Sequence, residues 1–499
     1  MKWLQTGGTS EKNVPMRLLL AVGILEFLFI TLESRFSGIA YYLAETYLVV
    51  PCLLMLGYGL RQKQSPFARR RLLLAVVAAS WFVIVQSIHK LSGMDNHPMG
   101  TVLFVYLMAF PFAALAEDRE SAGLRWIGGM FVAASLVLTG YSLLLLLDQV
   151  PSGMKSVLYW DGARLHALWH PNINACYFMI GIGFSAAFCV QAKKPLAKAL
   201  LLAAILAQLF AMALTNCRTT LLLTGALLGG TLFFAIFKGG WKRLLLGLLA
   251  AAVVLAGSFK LSGMIFGWNN DRLLVALNAS QEETAVPETA AATETLSAET
   301  VQTEALPVEE VPTAEVPTAE VPAVEVPAET AAGDEVVLIE DTGIILGDNE
   351  QGTLSKDMRS LNGRTQIWEA ALNAIRDNKV LALWGTEYVG TVISVYHWFP
   401  VVHSHNSWME VLMRMGLPGL LLALVFTAIS VWSAVKLIFR KDTELWKKII
   451  VMMTMCMLAA GFLEPYLFIT NVYYHVLDFI FFFCTGYLDL WCSRKREQK

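Results

Sequence analysis

Residues 199–237 read ALLLAAILAQLFAMALTNCRTTLLLTGALLGGTLFFAIF, which is two long apolar runs separated by the short segment TNCRT at 215–219. A helix that crosses a bilayer needs roughly 20 mostly apolar residues, because lipid cannot satisfy the polar groups of an irregular backbone. Both runs approach or reach that length. The stretch therefore predicts two neighbouring membrane spans joined by a tight turn.

Apolar runs of the same kind recur along the whole chain. Hydrophobic residues make up 56% of the 499 residues and charged residues 16%, whereas a soluble domain carries roughly 25% charge. This composition excludes a soluble globular enzyme, and the net charge of -2 gives no basic excess that would indicate nucleic acid. We predict an all-α polytopic integral membrane protein with about 12 transmembrane helices. The spans are expected near residues 16–33, 39–60, 72–89, 101–116, 127–147, 173–190, 199–215, 219–237, 244–259, 416–438, 449–469 and 471–492.

Basic residues are concentrated in every second loop. Clusters of Lys and Arg follow spans two, six, eight, ten and twelve, at residues 61–71, 193–198, 238–243, 440–448 and 494–499. Lys and Arg are enriched in cytoplasmic loops. The pattern therefore predicts a multi-pass protein of the plasma (inner) membrane with both termini in the cytoplasm.

One extracytoplasmic loop, between spans nine and ten, is much longer than the others. The chain divides into a bundle of nine spans, this loop and a bundle of three spans, at residues 1–259, 260–407 and 408–499. The loop contains VPTAE at 311–315 and again at 316–320, and such a composition cannot bury enough apolar surface to offset its ordering entropy. We expect residues 278–335 to be disordered and residues 355–407 to form a folded helical part.

Two helices are predicted in and after the folded part of this loop. Apolar residues recur at helical spacing over 368–375, which predicts one amphipathic helix. Residues 407–410 read SWME, a capping-box pattern that predicts a second helix start. His405 and Asn406 precede that start, where free N–H groups and the helix dipole favour anions.

Several polar side chains gather on the extracytoplasmic side. Arg218 lies between two apolar runs with almost no loop to lift it into water. A cation in that position snorkels to the interface, pairs, or binds an anion such as a lipid phosphate. The other polar residues on this side include Arg164, His166, His170, Asn172, Arg364, His397, His403, His405 and Arg414.

These residues resemble the O-antigen ligase and O-antigen polymerase superfamily of polytopic membrane glycosyltransferases. His405-Asn406, nine further residues and then Gly416-Leu417-Pro418-Gly419 resemble the family signature H-N-x9-G-x-x-G. Three shorter segments agree with family segments: residues 216–219 with T-x-S-R, 164–172 with R-x-x-G-x-F-x-x-P-N, and 363–368 with G-R-x-x-x-W. Cys217 stands where Ser is usual and Ala167 where Gly is usual, and residues 383–390 match the expected G-x-G-x-G stretch poorly.

The resemblance implies transfer or polymerisation of an undecaprenyl-diphosphate-linked glycan onto an acceptor sugar hydroxyl outside the membrane, in surface polysaccharide assembly. It implies no metal or other cofactor, and a direct displacement that inverts the anomeric centre. The implied partners are a lipid-linked oligosaccharide donor, a glycan or lipid-glycan acceptor, membrane lipid and polysaccharide assembly proteins. Polymerase and ligase share these motifs and are not separated by them.

Roles for single residues follow from this resemblance. His405 is expected to be the general base, because a histidine of unperturbed pKa about 6.5 can take the acceptor's proton. Arg218 and Arg364 are expected to offset the charge that develops on the lipid diphosphate, since a guanidinium is always charged and binds phosphate through two parallel hydrogen bonds. Substrate-binding roles are expected for Arg164, Asn172, Asn406, His403 and Arg414.

Other interpretations remain open at this point. A secondary transporter or flippase is the main alternative, because ionisable residues within a membrane often form proton paths. The ionisable residues in or near the spans are Glu26, Glu45, Glu464 and His475, of which the last two are expected near the extracytoplasmic end. A metal site formed by His397, His403 and His405 and a purely structural scaffold are two further alternatives.

Overall fold

The structure is a computed structural model. It describes residues 14–32, 53–54, 57–58, 60–61, 66–93, 109, 111, 121–147, 159–161, 164–167, 170–237, 239–284, 364–396, 403–468 and 475–497. Eight helices in these ranges are long and apolar enough to cross a membrane, which confirms the prediction of a helical polytopic membrane protein. The full count of about 12 spans stays a prediction, since spans 39–60 and 101–116 lie largely outside the described residues.

The helices before the long loop form most of the membrane bundle. They are α1 (Val14–Leu32), α2 (Pro66–Leu91), α3 (Ala122–Leu147), α4 (Pro171–Gln191), α5 (Pro195–Leu214), α6 (Arg218–Ile236) and α7 (Trp241–Thr284). A two-stranded antiparallel hairpin, β1 (Tyr159–Asp161) and β2 (Arg164–Ala167), precedes α4. The hairpin brings Arg164 close to the first turn of α4.

The remaining helices follow the long loop. They are α8 (Arg364–Asp377), α9 (Lys379–Trp384), α10 (Val389–Tyr396), α11 (Ser407–Phe439), α12 (Leu445–Ala460) and α13 (His475–Glu497). The eight candidate spans lie in α2 to α7, α11 and α13. The amphipathic helix expected over 368–375 is α8, and the two short helices α9 and α10 were not predicted.

Two predicted spans have different bounds in the structure. Helix α7 continues past residue 259 to Thr284, because no proline interrupts the helical pattern before Pro287. The first seven positions of the segment expected to be disordered, 278–284, are therefore helical, while residues 285–335 lie outside the described residues. Helix α12 ends at Ala460, and the predicted span 449–469 gives way to an irregular segment at 461–468 that contains Pro465.

Helix α4 and helix α13 form the centre of the bundle, where nearly all of their side chains are buried. Helix α4 allows close packing through small residues: a side chain at Gly181 would meet Ser135, and one at Gly183 would meet Met453. Helix α13 contributes a fully buried run of phenylalanines at 481–483. Helix α7, by contrast, is mostly exposed along its candidate span, as expected for a helix at the periphery of the bundle.

A sharp kink in α11 holds the short helices against the bundle. Gly416 has φ 65° inside α11, and Gly385, after α9, has φ 72°. A Cβ at Gly416 would clash with the backbone oxygen of Leu383, and one at Gly385 would clash with the carbonyl carbon of Arg414. Only glycine fits at such a backbone-to-backbone contact, which gives the first glycine of the H-N-x9-G-x-x-G pattern a structural reason.

Candidate active site

A buried carboxylate, Glu464, stands at the centre of the candidate site. It lies in the irregular segment after α12 and is 4% exposed. This segment is fixed to the start of α11, because the Ser407 hydroxyl donates to the backbone oxygen of Glu464 at 3.1 Å and accepts from the backbone N–H of Leu467 at 3.0 Å. The backbone of Glu464 is therefore fixed by hydrogen bonds that do not involve its carboxylate.

Two predicted site residues donate to the same oxygen of this carboxylate. Arg364, the first residue of α8, places Nη2 2.5 Å from Glu464 Oε1. Asn172, in the first turn of α4, donates from Nδ2 to the same oxygen at 3.1 Å. The start of α4 is itself shaped for this contact, since Pro171 occupies the first helical position and the His170 side chain accepts from the backbone N–H of Asn172.

A third predicted residue, Arg164, connects this cluster to the turn between α5 and α6. Its Nη2 donates to Asn172 Oδ1 at 2.8 Å, and its Nε donates to the backbone oxygen of Thr215 at 3.1 Å. Asn216 turns the chain with φ 49°, a left-handed conformation that asparagine tolerates. Arg218 is the first residue of α6 and is half-buried. The tight turn therefore places it three residues after Thr215, whose backbone Arg164 contacts.

His405 approaches Glu464 from the start of α11. Its Nδ1 is buried and lies 3.4 Å from Glu464 Oε2, within ion-pair range but long for a hydrogen bond. The side chain as a whole is 34% exposed, so the exposed part of the ring is the part away from Nδ1. His403 lies next to it, with ring centroids 4.1 Å apart, and its Nδ1 accepts from the His405 backbone N–H.

The start of α11 differs by one residue from the expected capping box. Asn406 is the N-cap, and its Oδ1 accepts from the backbone N–H groups of Trp408 and Met409 at 2.9 and 3.0 Å. Ser407 is unavailable for that role because its hydroxyl bonds the Glu464 segment. The Glu410 carboxylate accordingly turns outward from the helix and accepts from Ser404. Two of the N–H groups that were expected to favour an anion are therefore taken by Asn406.

The electrostatics of the cluster favour an ionised Glu464. Burial alone would raise the pKa of this carboxyl, but His405 and Arg364 outweigh burial and hold the pKa below its usual range. His403 shows the opposite balance, because burial and the neighbouring His405 lower its pKa. The site thus combines the buried anion Glu464, nearby guanidinium groups and His403, which is neutral near pH 7.

The sequence placed most of the site residues in one group, and the structure brings six of them together. Arg164, Asn172, Arg364 and His405 lie around Glu464, and His403 and Asn406 flank His405, with Asn406 donating to the backbone oxygen of Phe462. Arg414 lies outside this cluster and pairs with Glu410 at 2.9 Å and with Glu387 at 3.4 Å. The side chains of Glu26, His166 and His475, and all of Glu45 and His397, lie outside what the structure describes.

Residues 201–424 match a family model described as O-Antigen ligase. This segment, a little under half of the chain, is similar to the O-antigen ligase family. The match confirms the superfamily resemblance that the motifs indicated, and it links this membrane protein to the assembly of surface polysaccharide. A comparison with curated proteins gave no match.

The matched segment contains only part of the cluster. Arg218, Arg364 and His405 lie within residues 201–424, whereas Arg164, Asn172 and Glu464 lie outside them. The three-dimensional arrangement therefore extends the candidate site beyond the matched segment in both directions. Among the residues that the structure describes, no group of three or more His, Cys, Asp or Glu side chains is arranged to hold a metal ion.

The sequence left the role of Glu464 open, and it did not single out Glu387 or His89. Glu464 follows an apolar run and precedes Pro465, and this proline indicates that the run ends there rather than continuing through the carboxylate. Glu387 and His89 are nearly 300 residues apart in sequence, yet Glu387 Oε1 lies 3.2 Å from His89 Nδ1. No local pattern links them.

Proposed function

We propose that this protein transfers or polymerises a glycan carried on undecaprenyl diphosphate onto the sugar hydroxyl of an acceptor at the extracytoplasmic face. The observation that carries the proposal is the cluster around Glu464. It joins Arg364 and His405 directly, and Arg164 through Asn172, at the end of the bundle where α11 and α8 begin. The O-antigen ligase match supports the same class of reaction.

The donor side of the reaction is assigned to arginines. As the bond between the anomeric carbon and the diphosphate breaks, its electron pair goes to the diphosphate oxygen, and nearby cations stabilise that charge. Arg218 and Arg364 supply the cations, with Arg164 and Asn172 binding the donor beside them. Nη2 of Arg364 donates to Glu464. This contact orients the guanidinium group and leaves its other N–H groups for phosphate oxygens.

The acceptor side is assigned to His405. The carboxylate of Glu464 faces Nδ1, which favours the tautomer with the proton on Nδ1 and leaves the Nε2 lone pair to accept a proton. The acceptor oxygen forms its bond to the anomeric carbon, its proton passes to Nε2, and the lipid diphosphate leaves from the opposite face. This displacement inverts the anomeric centre and requires no metal.

The remaining assignments complete the proposal. His403 and Asn406 flank the base and are placed on the acceptor side as substrate-binding residues. Arg414 was expected to bind substrate as well, but its two carboxylate partners favour a positioning role. We place the site on the extracytoplasmic side of the inner membrane, with both termini in the cytoplasm, following the distribution of basic residues between the loops.

Reconstitution of the full chain tests the function. We expect the purified protein in proteoliposomes to release polyprenyl diphosphate from a lipid-linked oligosaccharide and to lengthen an added glycan acceptor, with the same rate in EDTA. Thin-layer chromatography of the lipid and mass spectrometry of the glycan measure the two products. Movement of the donor across the bilayer with no new glycosidic bond would instead establish a flippase and overturn the proposal.

Arg218→Lys is expected to lower the transfer rate at least tenfold. Lysine keeps the positive charge but loses the planar fork that binds phosphate through two hydrogen bonds. Initial rates in proteoliposomes, at matched protein levels, measure the effect. Arg376→Lys is the matched control, because Arg376 pairs with Asp377 at the exposed end of α8. A lysine variant at 218 with the parent rate would show that the arginine only snorkels to the interface.

A further inference from the structure

Ser404, between the two histidines, is held at each of its polar groups. Its backbone N–H and its hydroxyl both donate to Glu410 Oε2 at 2.8 Å. Its backbone oxygen accepts from Trp368 Nε1 at 2.8 Å. Ser404 is fully buried, and a buried backbone with both its donor and its acceptor satisfied has little freedom to move.

The fixed Ser404 determines where His405 points. His405 has φ 51°, a left-handed conformation that residues with a side chain rarely adopt. It is preceded by the clamped Ser404 and followed by Asn406, which is bonded to the first turn of α11 and to Phe462. The unusual backbone conformation is thus imposed from both sides, and it directs the imidazole toward Glu464.

Glu410 acts on this segment without facing the reacting groups. Its Oε2 accepts from Ser404, and its Oε1 accepts from Arg414 Nε at 2.9 Å. The residue is 1% exposed. Both carboxylate oxygens are therefore engaged within the protein, and the hydrogen bonds of this carboxylate to the segment before His405 go to Ser404.

We call the contacts of Ser404 with Glu410 and Trp368 the clamp. The clamp is connected to α2, a candidate membrane span. Arg414 also pairs with Glu387, and Glu387 accepts from Gln86 and lies 3.2 Å from His89, both on α2. The other ring nitrogen of His89 lies 2.9 Å from the backbone oxygen of Trp384. This row of polar and charged side chains connects Glu410 to the end of α2, which limits the movement of Glu410 itself.

We propose that Glu410 is a positioning residue that sets the orientation of His405 through its two hydrogen bonds to Ser404. The inference rests on the proposed role of His405 as the general base. A base displaced by about 1 Å from its substrate can lose about 10²-fold in rate. Loss of the clamp is therefore expected to lower kcat, whereas binding of the lipid-linked donor, which the arginines provide, is expected to persist.

Glu410→Gln tests this inference in the full-length protein. Glutamine keeps the shape of the side chain but lacks the negative charge that accepts hydrogen bonds from both Ser404 and Arg414. We expect kcat to fall by about 10- to 100-fold, with the KM for donor close to the parent value. The thermal midpoint in detergent should fall as well, because Glu410 is a buried partner of Arg414. Ser404→Ala removes the hydroxyl, which lies close to both Glu410 and the backbone oxygen of Asn406, but keeps the backbone N–H bond to Glu410. It is expected to give a smaller loss of kcat in the same direction.

Asp377→Asn is the matched control, since it removes an exposed carboxylate that also pairs with an arginine, and it should leave kcat and KM unchanged. Parent kcat in Glu410→Gln would overturn the inference, and so would a loss of kcat that comes with a raised KM for donor, which would indicate a general disturbance of the site rather than misplacement of the base. The function itself is tested separately by His405→Ala: loss there with parent kcat in Glu410→Gln rejects only the positioning role. Full activity of His405→Ala rejects both.

Discussion

His405→Ala is expected to lower the rate of glycan transfer by about 10²–10⁴-fold, the usual effect of removing a general base. The acceptor hydroxyl is a poor nucleophile, and without the imidazole its proton has no placed acceptor as the bond to the anomeric carbon forms. The lipid-linked donor should still bind, because Arg218, Arg364 and Arg164 are unchanged. Product formation and donor binding, measured on the same proteoliposomes, separate the two effects.

His403→Ala is the comparison for this variant. His403 lies against His405 and accepts from its backbone N–H, so its loss should weaken positioning and cost less than loss of the base. Equal losses in the two variants, together with inhibition of the parent by a chelator and recovery with zinc, would indicate a metal site. An active His405→Ala variant would leave this residue only a structural role at the start of α11.

The sequence was sufficient to predict the membrane class of the fold. Eight of the predicted spans correspond to helices of spanning length, because apolar runs of about 20 residues are typical of membrane-spanning helices. The bounds were less accurate where apolar character alone was used to place them. The end of α12 and the helical start of the long loop are examples, because apolar character alone does not show where a helix stops.

The candidate site was predictable one residue at a time, but the arrangement was not. His405, Arg218 and Arg364 have recognisable neighbours in sequence, and a tight turn or a helix start marks each of them. Glu464 has no such motif, and its importance depends on contacts with residues that are 59, 100 and 292 positions away. Such contacts arise from the packing of α4, α8 and α11 around the segment after α12.

Glu464→Gln is expected to lower kcat by about 10²–10⁴-fold, because it removes the charge that orients His405. Glutamine preserves size and one acceptor oxygen for Asn172, but its amide has no charge to favour the Nδ1–H tautomer or to pair with Arg364. Removing one partner of a buried ion pair also costs about 3–5 kcal/mol in the free energy of unfolding. Both effects should therefore be present at pH 7.

Asp489→Asn is the matched control for the cost of a broken buried ion pair. Asp489 on α13 pairs with the buried Arg71 on α2, about 27 Å along α2 from His89 at 1.5 Å per residue. This variant should lower the thermal midpoint but retain the parent kcat. A fall in kcat equal to that of Glu464→Gln would show that transfer responds to general destabilisation rather than to the orientation of the base.

The effect of Glu464 on stability should depend on pH with a definite sign. Its pKa is lowered in the folded protein, so the folded state binds this proton less readily than the unfolded chain does. The stabilisation is therefore complete above the unfolded pKa of about 4.3, and it is lost as the pH falls through the lower folded value. Thermal midpoints of the parent and of Glu464→Gln should differ most near pH 7 and converge below about pH 4. A difference that stays constant across this range would mean that the carboxylate contributes packing alone, and the proposed pairing of its charge with Arg364 and His405 would then be rejected.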